Sequence, residues 1–351
     1  MKRRHFLTLL NGIFSLMAIN PRLTQALSFD TEKLGYSNYG LQPNSFKKTV
    51  IKVIGIGGCG GNAIEHMAIK GIENVSLIGA DTGLQFMENI ADLEFLPLGV
   101  NFSKDPEPRT NLANNLQTAI KDCEGIREMA NGADLIFITA GMGGEIGTRC
   151  SPIMARILRE MGIYTVAVVT TPFSFEGKKR KQIADKGIST LKEHVDLLIT
   201  IPNEPLWGKN TRLLDFFLDR NDMFLRAVQS VSNLITQHDV INVEFSEMPA
   251  VMSKMGTATI GYGCAQGKDR ACVAAATAIA SLLSNNIDTN STHNILINIS
   301  AGQDMTIGEF ETVINTVMNF VSDDTTPMIG VVNNSTLKDE LQVTLVAGAM
   351  A

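Results

Sequence analysis

The chain has 351 residues, 44% hydrophobic and 19% charged, with a formal net charge of −6. That is enough for about two packed domains, and an acidic balance without an internal Lys/Arg run interleaved with aromatics argues against a nucleic-acid surface. Five cysteines without CxxC spacing read as reduced thiols of a cytosolic protein, and five scattered histidines suggest no metal centre.

Residues 1–20 have a helical period. Phe6, Leu7, Leu10, Phe14 and Met17 fall on an apolar face behind the basic start Lys2-Arg3-Arg4. Three readings remain open: an amphipathic anchor on an anionic membrane surface, a twin-arginine-like export signal cleaved near Ala26, and a plain extension. The stretch is too short and interrupted for a transmembrane span. Residues 20–48, with Pro21, Pro43, Gly35 and Gly40, read as a linker.

From Thr49 the pattern changes. Val50–Ile54 predicts a buried strand, and Gly57-Gly58-Cys59-Gly60-Gly61-Asn62 opens a helix reaching about Lys70. A glycine cluster after a strand also fits dinucleotide-binding folds, so alone it decides little. Val75–Gly79 is the next strand, and a helix is expected over Asn114–Met129. Leu135–Thr139 predicts the central strand, followed by Gly141-Met142-Gly143-Gly144-Glu145-Ile146-Gly147-Thr148 and a helical period. A strand, a glycine loop and a helix start direct backbone N–H groups and a positive helix end at one spot, which suits a phosphate. Neither a P-loop nor a GxGxxG pattern is present there.

Thr165–Thr170 and Val195–Ile201 complete an alternation of strands and helices that predicts an α/β fold with a parallel sheet covered on both faces. Leu213–Gln237 reads as one long helix. Beyond it come a helix (Arg270–Leu283), a strand (Ile295–Ser300), a helix (Ile307–Val321) and two strands (Met328–Val332, Gln342–Val346). They form a smaller α/β domain.

The phosphate-type loop resembles the Gly-Gly-Gly-Thr-Gly-Ser/Thr-Gly loop of the tubulin/FtsZ family. The similarity extends from Thr49 to Ala347 through the first glycine loop, Phe173-Ser174-Phe175-Glu176-Gly177-Lys178-Lys179-Arg180, and Ile201-Pro202-Asn203. Beyond the segment and linker over 1–48, it implies a GTP-binding domain over 49–212, a core helix over 213–237 and a C-terminal domain over 238–351. It further implies bound GTP or GDP, with Mg2+ admitted, and head-to-tail filaments hydrolysing GTP at the subunit junction.

Transferred onto this sequence, the resemblance assigns nucleotide contacts to Gly57, Gly58, Cys59, Gly60, Gly61, Asn62, Gly141, Met142, Gly143, Gly144, Gly147 and Thr148. Glu176 and Arg180 fall at the ribose, and Asn203, Phe217 and Asp222 at the guanine. The alternative for Glu176 and Arg180 is a surface i,i+4 pair, and for Phe217 core packing. Glu244 and Glu247 take the places of the family's hydrolytic aspartates.

The phosphate side departs from the family. Glu145 replaces a glycine, Ile146 the threonine and Arg149 the last glycine. Cys59 replaces a glycine of the first loop, Asp81 an asparagine and Gly83 an aspartate. Ser103–Arg109 contains two prolines and no glycine where the family has a glycine-rich loop. The expectation is a cytoplasmic, division-related filament protein with weakened phosphate loops, held at the inner membrane face by residues 1–20. A working GTPase and a non-polymerising module that binds another family member are the rivals.

Overall fold

The computed structural model describes residues 49–82, 93–98, 123–203, 213–236, 255–284, 292–322 and 325–349. The expectations for residues 1–48, Gly83, the Ser103–Arg109 loop, Glu244 and Glu247 lie outside the described residues.

Ten strands form one sheet in the order β3-β2-β1-β4-β5-β6-β7-β10-β8-β9. The first half is parallel: β1 (Ile51–Ile56), β2 (Val75–Asp81), β3 (Glu94–Pro97), β4 (Leu135–Gly141), β5 (Tyr164–Thr170) and β6 (Leu197–Ile201). Its inner strands β4, β5 and β6 are largely apolar because both of their faces are covered. Successive side chains alternate between two cores. Ile51, Val53, Leu135 and Phe137 join one, with Ala63, Ile64 and Met67 of α1 (Gly57–Lys70). Ile54, Ile56, Ile136 and Ile138 join the other, with Met154 and Leu158 of α2 (Glu145–Glu160) and Ala184 and Leu191 of α3 (Lys178–Lys192).

The long helix α4 (Leu213–Thr236) packs Phe224, Val228 and Val231 into the first core, which also takes in Leu296, Met328 and Val346 from the second half. Leu234 closes so tightly on β9 (Thr326–Asn333) that a Cβ on Gly330 would lie 1.9 Å from its Cδ2. The second half adds β7 (Thr257–Gln266), α5 (Arg270–Ser284), β8 (Thr292–Ala301), α6 (Ile307–Met318) and β10 (Glu340–Ala349). Here β10 runs antiparallel to both β7 and β8, so the sheet is mixed but mainly parallel. Strand β6 joins β7 through the pairs Leu198–Thr257, Ile199–Ala258 and Thr200–Thr259, making the sheet continuous.

Most expected elements recur with ends moved by a few residues. Strand β7 was not legible, because Gly261 and Gly263 interrupt its apolar alternation. Both are demanded by α5: a Cβ at either would lie 2.3 and 2.2 Å from the Ala278 and Ala274 carbonyl oxygens. Among the described residues no helix is long and apolar enough to cross a membrane.

Candidate functional site

A cleft of about 700 Å³ opens at the carboxyl ends of β1, β4 and β5. That is where open α/β sheets take ligands, and the size falls within the roughly 300–1,000 Å³ of small-molecule sites. Two helix starts form its floor. Gly57 takes a left-handed φ of 67° to turn β1 directly into α1. Gly144 caps α2, and Gly57 approaches so close that a Cβ there would touch Ile146 at 3.4 Å. The first-turn amides of both helices have no intrahelical acceptor, so they and two positive helix ends face one space.

The glycines divide by task. Gly57, Gly58 and Cys59 line the cleft, as do Gly141, Met142, Gly144, Glu145, Ile146 and Gly147. Gly60 and Gly61 are buried instead, and Asn62 is exposed without lining the cleft. A Cβ on Gly60 would lie 2.4 Å from the Thr139 carbonyl oxygen, so α1 rests directly on β4. Gly60→Ala is expected to destabilise by about 1–3 kcal/mol through overpacking, read by chemical denaturation. Gly143 and Thr148 hold the loop's shape rather than line the cleft: the Gly143 amide donates to Thr148 Oγ1 at 2.8 Å. The Met142 amide donates to the Thr170 carbonyl at 2.9 Å, leaving the Glu145, Ile146 and Gly147 amides for an anion.

Cys59 is exposed as a residue, but its sulfur sits 3.6 Å from Thr170 Oγ1 within the cleft. Burial pushes the thiol's pKa up, the Thr170 hydrogen bond offsets part of the rise, and the Glu176 carboxylate adds to it. It therefore stays protonated and brings no charge to an anion.

Glu176 and Arg180 form the opposite wall. Arg180 Nη1 lies 2.9 Å from Glu176 Oε2, while Glu176 Oε1 accepts from the Phe173 amide at 2.9 Å. The pair is therefore an i,i+4 contact and also part of the cleft. Gly143 is obligatory beside it: its φ is 94°, and a Cβ would meet Pro172 and Arg180 at 2.7 and 2.9 Å. Asn203 lines the far end.

The guanine side departs from the sequence expectation. Asp222 does not line the cleft. Its Oδ1 lies 2.5 Å from His66 Nε2 and its Oδ2 3.8 Å from Arg226 Nη2, so both oxygens are engaged away from it. The helical period explains the difference: Phe217 and Asn221 share one face of α4, and Asp222 is turned by a further 100° or so. The Phe217 side chain lies outside the described residues.

Sequence reasoning had not assigned Ile56, Thr82, Thr170, Pro172, Phe173 and Phe175 to the lining. Phe173 and Phe175 stack with centroids 4.7 Å apart, and Phe175 is 80% exposed at the rim. The signal for them was their place inside the motif that supplied Glu176 and Arg180. Among the described residues no group of three His, Cys, Asp or Glu side chains could hold a metal ion.

Residues 50–210 match the family model described as the Tubulin/FtsZ family GTPase domain, and residues 256–351 that of the FtsZ family C-terminal domain. Cell division protein FtsZ of Pseudomonas aeruginosa is 45% identical over 312 residues, covering 88% of this chain and 79% of the relative. Its counterpart in Coxiella burnetii is 44% identical over 311 residues, covering 88% and 81%. An empty FtsZ dimer from M. jannaschii superposes with a TM-score of 0.74 at 32% identity, over 86% of this chain and 88% of that one. CetZ from Methanosaeta thermophila shares the fold at 19% identity and a TM-score of 0.64, over 85% and 86%. Matched along both halves and at such identity, the chain belongs to the tubulin/FtsZ family.

Proposed function

We propose that the chain is a guanine-nucleotide-binding, filament-forming protein of cell division, with its nucleotide in the cleft described above and weakened contacts to a third phosphate. The carrying observation is the meeting of two helix N-termini, with the Glu145, Ile146 and Gly147 amides left over for an anion. On this reading those amides and the first turn of α1 hold the phosphates, and Glu176 and Arg180 flank the ribose. Asn203 and Phe217 meet the base, with Asp222 positioning α4. Mg2+ would neutralise phosphate charge, as a divalent ion does with nucleotides.

The names of the relatives support division as the setting, and the M. jannaschii dimer supports self-association. Head-to-tail stacking would carry Glu244 and Glu247 toward the next copy's nucleotide, and residues 1–20 would hold the polymer at the inner membrane face. Nucleotide content of the purified full-length chain, with pelleting under GDP and GTP, tests the reading. Bound guanine nucleotide and sedimenting polymer are expected. A nucleotide-free protein that neither binds GDP nor pellets would overturn it.

A further inference from the structure

We propose that His66, Asp222, Arg226 and Tyr262 form a positioning relay that ties the phosphate-side helix α1 to the C-terminal half of the sheet. The proposal rests on the nucleotide reading of the cleft, whose regulation it specifies. His66 stands on α1 about two turns beyond Cys59, buried at 8% exposure. A buried imidazole needs a partner, and it finds Asp222 on α4 at 2.5 Å. A carboxylate only accepts, so Nε2 carries the shared hydrogen.

The same carboxylate faces Arg226, one turn along α4, at 3.8 Å. Arg226 in turn lies flat on the Tyr262 ring of β7, 3.4 Å from its centroid, and its Nη1 donates to Gln342 Oε1 of β10 at 3.5 Å. Arg226 thus joins an ion pair to a cation–π contact, and each fixes its plane for the other.

Helix α1 is consequently held at two places. Its first turn is clamped to the sheet at Gly55 and Gly60, where no Cβ fits, and its second half is held by His66. Because the first turn of α1 supplies part of the amides that face the anion, beside those of α2, a shift of α1 moves that part directly. Displacements near 1 Å are costly in such sites. Tyr262 lies in the other half of the sheet and reaches α1 in this chain of contacts only through Arg226 and Asp222. Effects of separated residues normally add, so non-additivity between His66 and Tyr262 is the relay's signature.

The test is GDP titration calorimetry on the full chain with His66→Gln, Tyr262→Leu, Tyr262→Phe and the double His66→Gln/Tyr262→Leu. Tyr262→Leu should weaken GDP binding about threefold and His66→Gln about fivefold. The double variant should stay near fivefold rather than reach the product of about fifteenfold. Tyr262→Phe, which keeps the ring, should match the wild type. Multiplicative effects, or an unchanged Kd in Tyr262→Leu, would overturn the relay. Arg226→Met replaces Tyr262→Leu if the latter fails to fold. Hydrogen exchange of residues 57–66 without nucleotide separates the two hypotheses. A wild type that ignores GDP would end the nucleotide reading; faster exchange there in Tyr262→Leu would still support the relay, and unchanged exchange would reject it.

Discussion

Arg270→Met is expected to lower stability by about 1–3 kcal/mol, the cost of losing charge-assisted hydrogen bonds from a buried guanidinium whose carboxylate partners stay partly exposed. Arg270 is only 5% exposed and meets two carboxylates. Its Nε donates to Glu309 Oε1 at 2.6 Å and its Nη2 to Oε2 at 3.2 Å, while Nη1 lies 2.9 Å from Asp304 Oδ2. Glu309 also accepts from the Thr306 amide at 2.8 Å, and Thr306 Oγ1 takes the Glu309 amide, so one carboxylate caps α6 and fastens it to α5. Denaturant unfolding measures the loss, and Arg270→Met/Glu309→Leu should recover part of it, because the carboxylate that then remains, Asp304, is more than half exposed and stays hydrated. An unchanged midpoint in Arg270→Met would show that the network is decorative. The Arg270 hydrogen bonds lower the Glu309 pKa to about 2, against the opposing effect of burial and with help from Thr306. A lowered folded-state pKa gives stability that is complete above the ordinary carboxylate value of about 4.3 and lost as pH falls toward about 2. The wild type's advantage over Glu309→Gln should therefore shrink across that window.

Apart from the short, partly exposed β3, the parallel half of the fold was legible because most of its strands are buried and its glycine loops follow strands directly. Leu135–Thr139 and the loop after it predicted β4 and the α2 start from residue types alone. What stayed hidden depends on contacts between distant segments. No local pattern shows that Gly261 and Gly263 make room for α5, so the residues give no expectation of a strand where β7 lies. Asp222 illustrates the same limit at the site. The resemblance places it at the guanine, but a helix turns about 100° per residue, and the carboxylate meets His66 instead. The roles of Gly60 and Gly143 were equally indistinct, since a glycine that packs and one that meets a ligand are identical in sequence.

GDP is expected to bind this chain at least as tightly as GTP, and Glu145→Gly to raise GTP affinity tenfold or more while moving GDP little. Glu145 is the first residue of α2, exposed, and part of the cleft lining. Its carboxylate lies at the positive helix end, where it stabilises the helix by about 0.3–1 kcal/mol and competes for the field that would hold a phosphate. Two unit negative charges about 4 Å apart repel by about 1 kcal/mol in water and about 4 kcal/mol at an effective dielectric of 20. The cleft is open to solvent, so the effect falls between these bounds and weakens with salt. A third phosphate adds charge nearest the loop, so GTP loses more than GDP. Ile146 compounds the loss by presenting a methyl-bearing side chain where a hydroxyl would donate. Glu145→Gln separates charge from shape: it should recover most of the GTP gain, whereas a steric cause would leave Gln like Glu. Calorimetry at low and high salt decides the matter. A wild type that prefers GTP tenfold would overturn the charge argument and direct attention to the cationic groups Arg149 and Arg180 as the source of compensation.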